Sequence, residues 1–130
     1  MKKTAAATPA KALSHVGLDG RPHMVDVGGK PALYRAAHAS GMITLSRAAR
    51  RLVRSHQIKK GNVLAAAELA GIQAAKQTAM LIPLCHTLPL CAIDVKAVLT
   101  RTGARVTSTV KSHGQTGVEM EALTAVAVAL

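Results

Sequence analysis

The sequence predicts an α+β fold in which helices cover one face of an antiparallel β-sheet. Apolar residues make up 49% of the chain, yet Tyr34 is its single Phe, Tyr or Trp residue, so the core must be built from small aliphatic side chains. Such a core favours helices packed closely on a sheet. Side chains alternate as in strands near residues 32–45 and 91–112, with helix-forming stretches between and after them. A length of 130 residues fits one domain.

The first strand and the first helix are predicted between residues 32 and 56. Residues 32–45 alternate as an extended segment with a glycine irregularity at Gly41. The segment TLSRAARRLVRSH then places apolar residues at helical spacing. Thr44 or Ser46 is expected to cap the resulting short basic helix.

A long helix, a hairpin and a last helix are predicted to follow. KKGNVLAAAELAGIQAAKQTAMLIP is rich in helix-forming residues up to Pro83, and we expect this helix to be largely buried. CAIDVKAVL and ARVTSTVKS alternate as strands, and the turn-like RTG between them indicates a hairpin. TGVEMEALTAVAVAL predicts a final helix opened by Thr116.

The predicted domain organisation is a flexible basic N-terminal arm at residues 1–20 and a single α+β domain at residues 21–130. A split βαβ arrangement has one more strand after its last helix. The final helix here stops in VAVAL, without a Gly, Asn or basic residue to satisfy its last carbonyl groups. We therefore expect the domain to be truncated at its C-terminus, with the last strand missing.

The charge of the chain favours an anionic partner. There are 17 Lys and Arg residues against 6 Asp and Glu residues, a formal charge of +11 that suits nucleic acid, acidic lipid or a small polyphosphate. The run RAARRLVRSHQIKK suits nucleic acid. Single-strand binders, however, stack bases on aromatic side chains, and the sequence shows neither zinc-finger spacing nor a phosphate-loop motif. We expect no nucleic-acid partner.

The location predicted from the sequence is the cytoplasm, without a membrane partner. No apolar run approaches the roughly 20 residues that cross a bilayer, and the first residues lack a signal-peptide core. The two cysteines, Cys85 and Cys91, are expected to stay reduced.

Lys60 is one candidate for chemistry, because it precedes Gly61 at the start of the long predicted helix. Helix starts attract anions through free N–H groups and the helix dipole, and lysine adds a mobile charge suited to phosphate. With Lys59 beside it, Lys60 is also a candidate acid or base. The alternative interpretation is a solvated linker.

His86 is a second candidate, next to Cys85 in the proline-bracketed segment LIPLCHTLPL. A general acid or base here needs a partner within hydrogen-bond reach. The alternative is a histidine that is simply hydrogen-bonded in the core. Cys85 and Cys91 lack the short paired spacing of zinc sites, so no metal is expected.

Acidic residues are few, and three of them are informative. Glu119 and Glu121 fall in the first turn of the last predicted helix, where acids offset the helix dipole. Residues two apart on a helix face different directions, so both can enter one pocket only where the helix starts irregularly. Asp26, in the apolar stretch HMVDV, is expected to be buried beside a cationic partner.

Four segments together resemble one protein family: HMVDV at 23–27, KKGNV and AGIQAAK within 59–76, LIPLCH at 81–86 and TGVEMEALTA at 116–125. Over about residues 14–130 the chain resembles the cyclic pyranopterin monophosphate synthases, the MoaC family of molybdenum cofactor biosynthesis. The resemblance implies a ferredoxin-like subunit of a homohexamer, a trimer of dimers with active sites between subunits. It also implies a lyase that converts a cyclised dihydroguanosine triphosphate to cyclic pyranopterin monophosphate and pyrophosphate, without a cofactor.

The resemblance also implies roles for individual residues. Lys60 and His86 match the catalytic positions. The positions that contact the substrate are matched by Leu84, Cys85, His86, Glu119, Met120, Glu121, Asp26, Arg35 and Lys76. Arg35 and Lys76 are expected to contact phosphates.

The sequence departs from the family pattern in several places. LCHT stands where LCHP is usual, and KKGN where KGD is usual. The family continues past the last helix with an Asp, a Lys three residues later and a final strand. Because that Asp is held to be central to catalysis, the alternative to an enzyme is a non-catalytic homologue that acts as a binding or assembly subunit. A small basic nucleic-acid-binding protein is the third possibility.

Overall fold

A computed structural model describes residues 14–57 and 61–130 of the chain. Within these ranges the chain forms three strands and four helices. In order, the elements are β1 (Leu33–Thr44), α1 (Arg47–Arg54), α2 (Val63–Lys76), α3 (Thr78–Leu81), β2 (Leu90–Leu99), β3 (Gly103–Gly114) and α4 (Glu119–Ala129).

The three strands form one antiparallel sheet with the order β1-β3-β2. The pairing of β1 with the central strand runs unbroken from Leu33 opposite Gly114 to Thr44 opposite Gly103. β2 and β3 form the predicted hairpin, with one register shift near the start of β2. The first predicted strand and the hairpin are confirmed.

The two faces of the sheet differ in burial. Along β3, exposed residues alternate with the buried residues Ala104, Val106, Ser108, Val110 and Ser112. α2 and α4 pack on the buried face, while the other face is open to solvent. The predicted α+β fold, with helices on one face of an antiparallel sheet, is confirmed and is consistent with a ferredoxin-like subunit.

The core is built from small side chains, as the composition predicts. Its fully buried members include Val106, Val110, Val118, Ala122 and Ala125. The helices α2 and α4 approach closely at Gly71, where an added Cβ would lie 2.8 Å from the carbonyl oxygen of Ala125 and 3.0 Å from Val95. The absence of a side chain at Gly71 therefore sets the spacing between the two helices.

The long predicted helix is interrupted before Pro83. α2 ends at Lys76, and the N–H of Gln77 bonds to the carbonyl three residues back, at Ala74. The hydroxyl of Thr78 donates to the carbonyls of the last turn of α2, at 3.0 and 3.3 Å, which competes with regular helix bonding. The short helix α3 follows this break.

The prediction that this helix is largely buried is wrong, since the buried residues of α2 are Gly71, Ala74 and Ala75. The cap of α1 is Ser46 rather than Thr44, because the hydroxyl of Ser46 accepts the N–H of Ala49 at 3.1 Å. Residues 14–20 of the predicted N-terminal arm are described, and backbone hydrogen bonds join His15 and Gly17 to residues 21–23 of the predicted domain. Among the helices of residues 14–57 and 61–130, none is long and apolar enough to cross a membrane.

Candidate functional site

A cavity of about 270 Å³ lies at the end of the sheet where β1 begins and β3 ends. Its walls come from four parts of the chain, at residues 14–15, 25–30, 84–88 and 116–121. The predicted substrate-contacting residues among them are Leu84, Cys85, His86, Glu119, Met120 and Glu121. The fold thus brings together two segments that are more than 30 residues apart in sequence.

A tight turn presents Leu84, Cys85 and His86 to the cavity. The N–H of Cys85 bonds to the carbonyl of Ile82 at 3.3 Å, and Pro83 occupies the second turn position, which its ring suits. Leu84 has a φ of +67°, a left-handed conformation that costs a non-glycine residue roughly 1–2 kcal/mol. Such conformations persist where the surroundings hold them, and they cluster at ligand sites.

The imidazole of His86 is half-buried and has a fixed orientation. Its Nε2 lies 2.9 Å from the carbonyl oxygen of Val25. A carbonyl can only accept, so Nε2 carries a proton and donates it. Nδ1 is then the ring nitrogen left to accept or donate a proton elsewhere. His86 therefore makes the hydrogen bond expected of a structural histidine, and it also lies on the cavity wall.

Glu119 and Glu121 both line this cavity, although they lie two residues apart. α4 begins at Glu119. The Glu119 carboxylate folds back over Gly117, where an added Cβ would overlap a carboxylate oxygen. Glu121 is buried, with 4% of its surface exposed. The irregular start of the helix thus lets both acids face one cavity.

Burial raises the pKa of Glu121, and the charge of Glu119 raises it further, while a hydrogen bond from its own backbone N–H acts in the opposite direction. Burial also raises the pKa of the Cys85 thiol, with a second contribution from the charge of Glu121. A carboxyl group that holds its proton more tightly than usual can exchange it nearer neutral pH. Within residues 14–57 and 61–130, no three His, Cys, Asp or Glu side chains are grouped as a metal ion would require.

Lys76 adds a cation next to the same residues. It lines a smaller cavity of about 30 Å³ together with His86 and Glu121. Because Lys76 is the last residue of α2, its charge also interacts favourably with the helix dipole. His86 and Glu121 therefore lie between the main cavity and a lysine.

Arg35 lies on the helix-covered side of β1, opposite Ser112 in the register with β3. Its Nε is buried and, among the described residues, has no hydrogen-bond partner. A buried donor without an acceptor costs roughly 1–3 kcal/mol. Arg35 does not line the 270 Å³ cavity.

Asp26 and Lys60 are the remaining predicted site residues. Asp26 is exposed, and its Oδ1 accepts the N–H of Gly28 at 2.8 Å, so the prediction of a buried acid beside a cation is wrong. The physical reason is strand-like alternation, since Val25 and Val27 face the cavity and turn Asp26 outward. Lys60 lies outside the described residues.

Several wall residues were missed by sequence reasoning. Lys30 supplies a cation to the cavity, and Thr116 and Gly117 supply polar atoms before α4. The two glycines before Lys30 were a usable signal, because GGK is a turn that leads a cation back toward β1. Ser14 and His15 also contribute, and nothing in the local sequence indicated this.

Comparison with known proteins gives the family of the chain. The model of the MoaC family matches residues 24–130. Cyclic pyranopterin monophosphate synthase of Parvibaculum lavamentivorans is 49% identical over 121 residues, which are 92% of this chain and 76% of that protein. The protein of the same name from Cereibacter sphaeroides is 51% identical over 119 residues, 90% of this chain and 75% of that protein.

Longer relatives also match. Molybdenum cofactor biosynthesis protein 1 of Drosophila melanogaster is 48% identical over 119 residues, 90% of this chain. The chain spans 21% of the length of that protein and 19% of the Homo sapiens protein of the same name. The match to the family model covers most of the chain, and the chain belongs to the MoaC family.

Proposed function

We propose that this chain is a cyclic pyranopterin monophosphate synthase, a cytoplasmic lyase of molybdenum cofactor biosynthesis. It converts a cyclised dihydroguanosine triphosphate to cyclic pyranopterin monophosphate with release of pyrophosphate. The observation that carries the proposal is the cavity lined by both His86, which follows the left-handed residue Leu84, and the buried Glu121. Relatives that are about half identical to the chain carry the name of this enzyme, and the chain covers about three quarters of their length.

The proposed proton transfers use His86 and Glu121. The bond from Nε2 to the Val25 carbonyl leaves Nδ1 of His86 as the group that takes or gives a proton. The raised pKa of Glu121 keeps its carboxyl protonated at a pH where an exposed glutamate has ionised. Lys60 is the second proposed catalytic residue, as the resemblance implies.

The proposed phosphate contacts use the cations around the cavity. Lys30 lines it, and Lys76 lines the smaller cavity behind His86. The buried Nε of Arg35 supports a role in anion binding, because an acceptor there removes the cost of an unpaired donor. Leu84, Cys85 and Met120 form the less polar part of the wall, suited to the flat ring system of a pterin.

The proposal includes a homohexamer, a trimer of dimers with sites between subunits. Gly61 precedes α2 and Lys76 ends it, and a helix of 14 residues is about 20 Å long. Gly61 therefore lies about one helix length from Lys76, which lines the smaller cavity with His86. In the proposed assembly, a neighbouring subunit supplies Lys60 to the site, consistent with the family resemblance.

Turnover tests the proposed activity. Purified protein incubated with the cyclised dihydroguanosine triphosphate should yield cyclic pyranopterin monophosphate and pyrophosphate. Lys60→Ala should lower turnover by about 100-fold or more, whereas Lys96→Ala, on the open face of β2, serves as the control. Full turnover by Lys60→Ala would remove Lys60 from the mechanism. A protein that binds the substrate without product formation would instead be the binding or assembly subunit.

Mixed assemblies test the shared site. His86→Ala and Lys60→Ala protomers should each be inactive alone. When the two are unfolded, mixed and refolded together, some interfaces combine an intact His86 with an intact Lys60 from the neighbour, and activity should return in part. No recovery from a mixture that light scattering shows to be hexameric would place both residues in one subunit.

A further inference from the structure

Five arginines line a second cleft, of about 370 Å³, far from His86. They are Arg47, Arg50, Arg51, Arg54 and Arg101, and we call this surface the arginine cleft. The first four belong to α1, and the fifth lies in the turn between β2 and β3. The cleft lies at the end of the sheet where β1 finishes, roughly 37 Å along that strand from the His86 cavity.

Hydrogen bonds fix the two walls of the arginine cleft relative to each other. The N–H of Leu45 bonds to the carbonyl of Thr102 at 3.1 Å, which joins the start of α1 to the β2–β3 turn. Nη1 of Arg50 donates to the carbonyl of Leu45 at 2.6 Å. A side chain at Gly103 would overlap the carbonyl of Ile43, so the turn is also held tightly against β1. The backbone on both sides of the cleft and the guanidinium of Arg50 are thus held before any ligand arrives, which lowers the entropic cost of binding.

The charges in the arginine cleft are not neutralised within the described chain. Among residues 14–57 and 61–130, the one ion pair joins Arg21 and Asp19, outside the cleft. α1 contains no acid, and Arg47 and Arg51, like Arg50 and Arg54, are four residues apart. Like charges at this spacing face each other and destabilise a helix. A bound anion would offset that repulsion, because each guanidinium group would be attracted to it.

We propose that the arginine cleft binds a compact polyphosphate, a diphosphate or triphosphate group that is either free or the tail of a nucleotide. Guanidinium groups present planar pairs of N–H donors that match phosphate oxygens two at a time. The volume of about 370 Å³ falls in the range of small-ligand sites, roughly 300–1,000 Å³. A single cluster of cations without an aromatic wall suits a compact anion better than an extended nucleic-acid strand, which stacks its bases.

Calorimetric titration of the full-length protein with inorganic tripolyphosphate tests this proposal. The double variant Arg51→Gln/Arg101→Gln should bind about tenfold more weakly or worse, because each lost guanidinium removes charge-assisted hydrogen bonds. Arg50 is left in place, since it also holds the Leu45 carbonyl. The matched control Arg21→Gln/Arg105→Gln removes two exposed charges elsewhere and should bind within about twofold of wild type.

A separate variant keeps this test independent of the proposed activity. His86→Ala should retain tripolyphosphate binding at the arginine cleft, whether or not the protein makes cyclic pyranopterin monophosphate. Equal binding by wild type and Arg51→Gln/Arg101→Gln would overturn the proposal. Binding lost in His86→Ala but kept in the arginine variant would also overturn it, since the anion would then occupy the other cavity.

Further titrations distinguish the sources of the polyphosphate and the nucleic-acid alternative. GTP that binds at least as tightly as tripolyphosphate, with guanosine inactive, supports a nucleotide tail as the source. Tripolyphosphate that binds well while GTP does not supports a free polyphosphate. A single-stranded oligonucleotide that requires Arg51 and Arg101, and that tripolyphosphate does not displace, would overturn the proposal in favour of a nucleic-acid surface.

Discussion

The two ends of the sheet present polar groups in opposite ways. Near His86, the polar groups are drawn into the protein, with Glu121 buried and its pKa raised by burial. In the arginine cleft, Arg47, Arg51 and Arg54 are exposed and carry like charges. Acid–base chemistry near neutral pH needs groups whose proton affinity the protein has changed. Attraction of a polyanion needs charges that stay in water until the ligand arrives.

The largest effect that separates the two ends is expected from His86→Ala. Loss of a general acid or base should lower kcat by about 10²- to 10⁴-fold in the pyranopterin assay, while tripolyphosphate titration of the arginine cleft stays unchanged. His38→Ala is the matched control, because His38 lies on the open face, with Nδ1 2.9 Å from the Thr109 hydroxyl. Turnover within tenfold of wild type would exclude His86 as the principal acid or base.

Gly71→Ala should weaken the packing of α2 on α4. This packing supports both ends of the sheet, since α2 begins beside one end and finishes beside the other. The added Cβ would lie 2.8 Å from the carbonyl oxygen of Ala125, a backbone atom that moves only with α4. We expect the free energy of unfolding to fall by about 1–3 kcal/mol, as for other overpacked cores. Urea denaturation measures it, with Gly29→Ala as the control, because its Cβ would meet nothing within 4 Å. Unchanged stability would mean that α2 and α4 separate at little cost.

The sequence predicted the periodic parts of this molecule better than the parts decided by single contacts. One face of β3 is buried, so its alternation is visible in the sequence. The break after Lys76 depends on the Thr78 hydroxyl reaching back to α2, which helix propensity does not include. Side chains that alternate as in a strand place Asp26 on the side opposite Val25 and Val27. Recognising these two valines as wall residues would therefore have predicted an exposed Asp26.

The candidate site was partly predictable for a related reason. Pro83 and the adjacent Cys85 and His86 marked a segment with an unusual backbone, and the positive φ of Leu84 confirms that it is unusual. Glu119 and Glu121 were recognised as candidates, but their shared cavity depends on Glu119 folding back over Gly117. That contact involves the exact start of α4, and helix boundaries are the least predictable part of an element.

A smaller, pH-dependent effect is expected from Glu121→Gln. The pKa of Glu121 is raised in the folded protein, so folding is favoured by its protonation. This contribution is complete below about pH 4.5, the ordinary value for glutamate, and is lost as the pH rises through the raised pKa. The Tm of Glu121→Gln relative to wild type should therefore increase with pH above that value.

Thermal unfolding of both proteins across mildly acidic to neutral pH measures this difference. Asp94→Asn, which removes an exposed carboxylate from the open face of β2, shows how much of any trend comes from net charge alone. If the Tm of Glu121→Gln minus the Tm of wild type stays constant or decreases as the pH rises, the pKa of Glu121 is not raised.

The smallest effect is expected at the arginine cleft. Arg51→Gln removes like-charge contacts with Arg47 and Arg54, each worth about 0.2–0.5 kcal/mol, so the variant should be slightly more stable than wild type at low salt. At about 1 M salt, where the screening length is roughly 3 Å, the gain should vanish. Arg105→Gln, a change on the open face, controls for loss of charge in general. With saturating tripolyphosphate the order should reverse, because the ligand stabilises the form that binds it more tightly. A variant that stays the more stable one in tripolyphosphate would mean that the arginines repel one another without a ligand to relieve them.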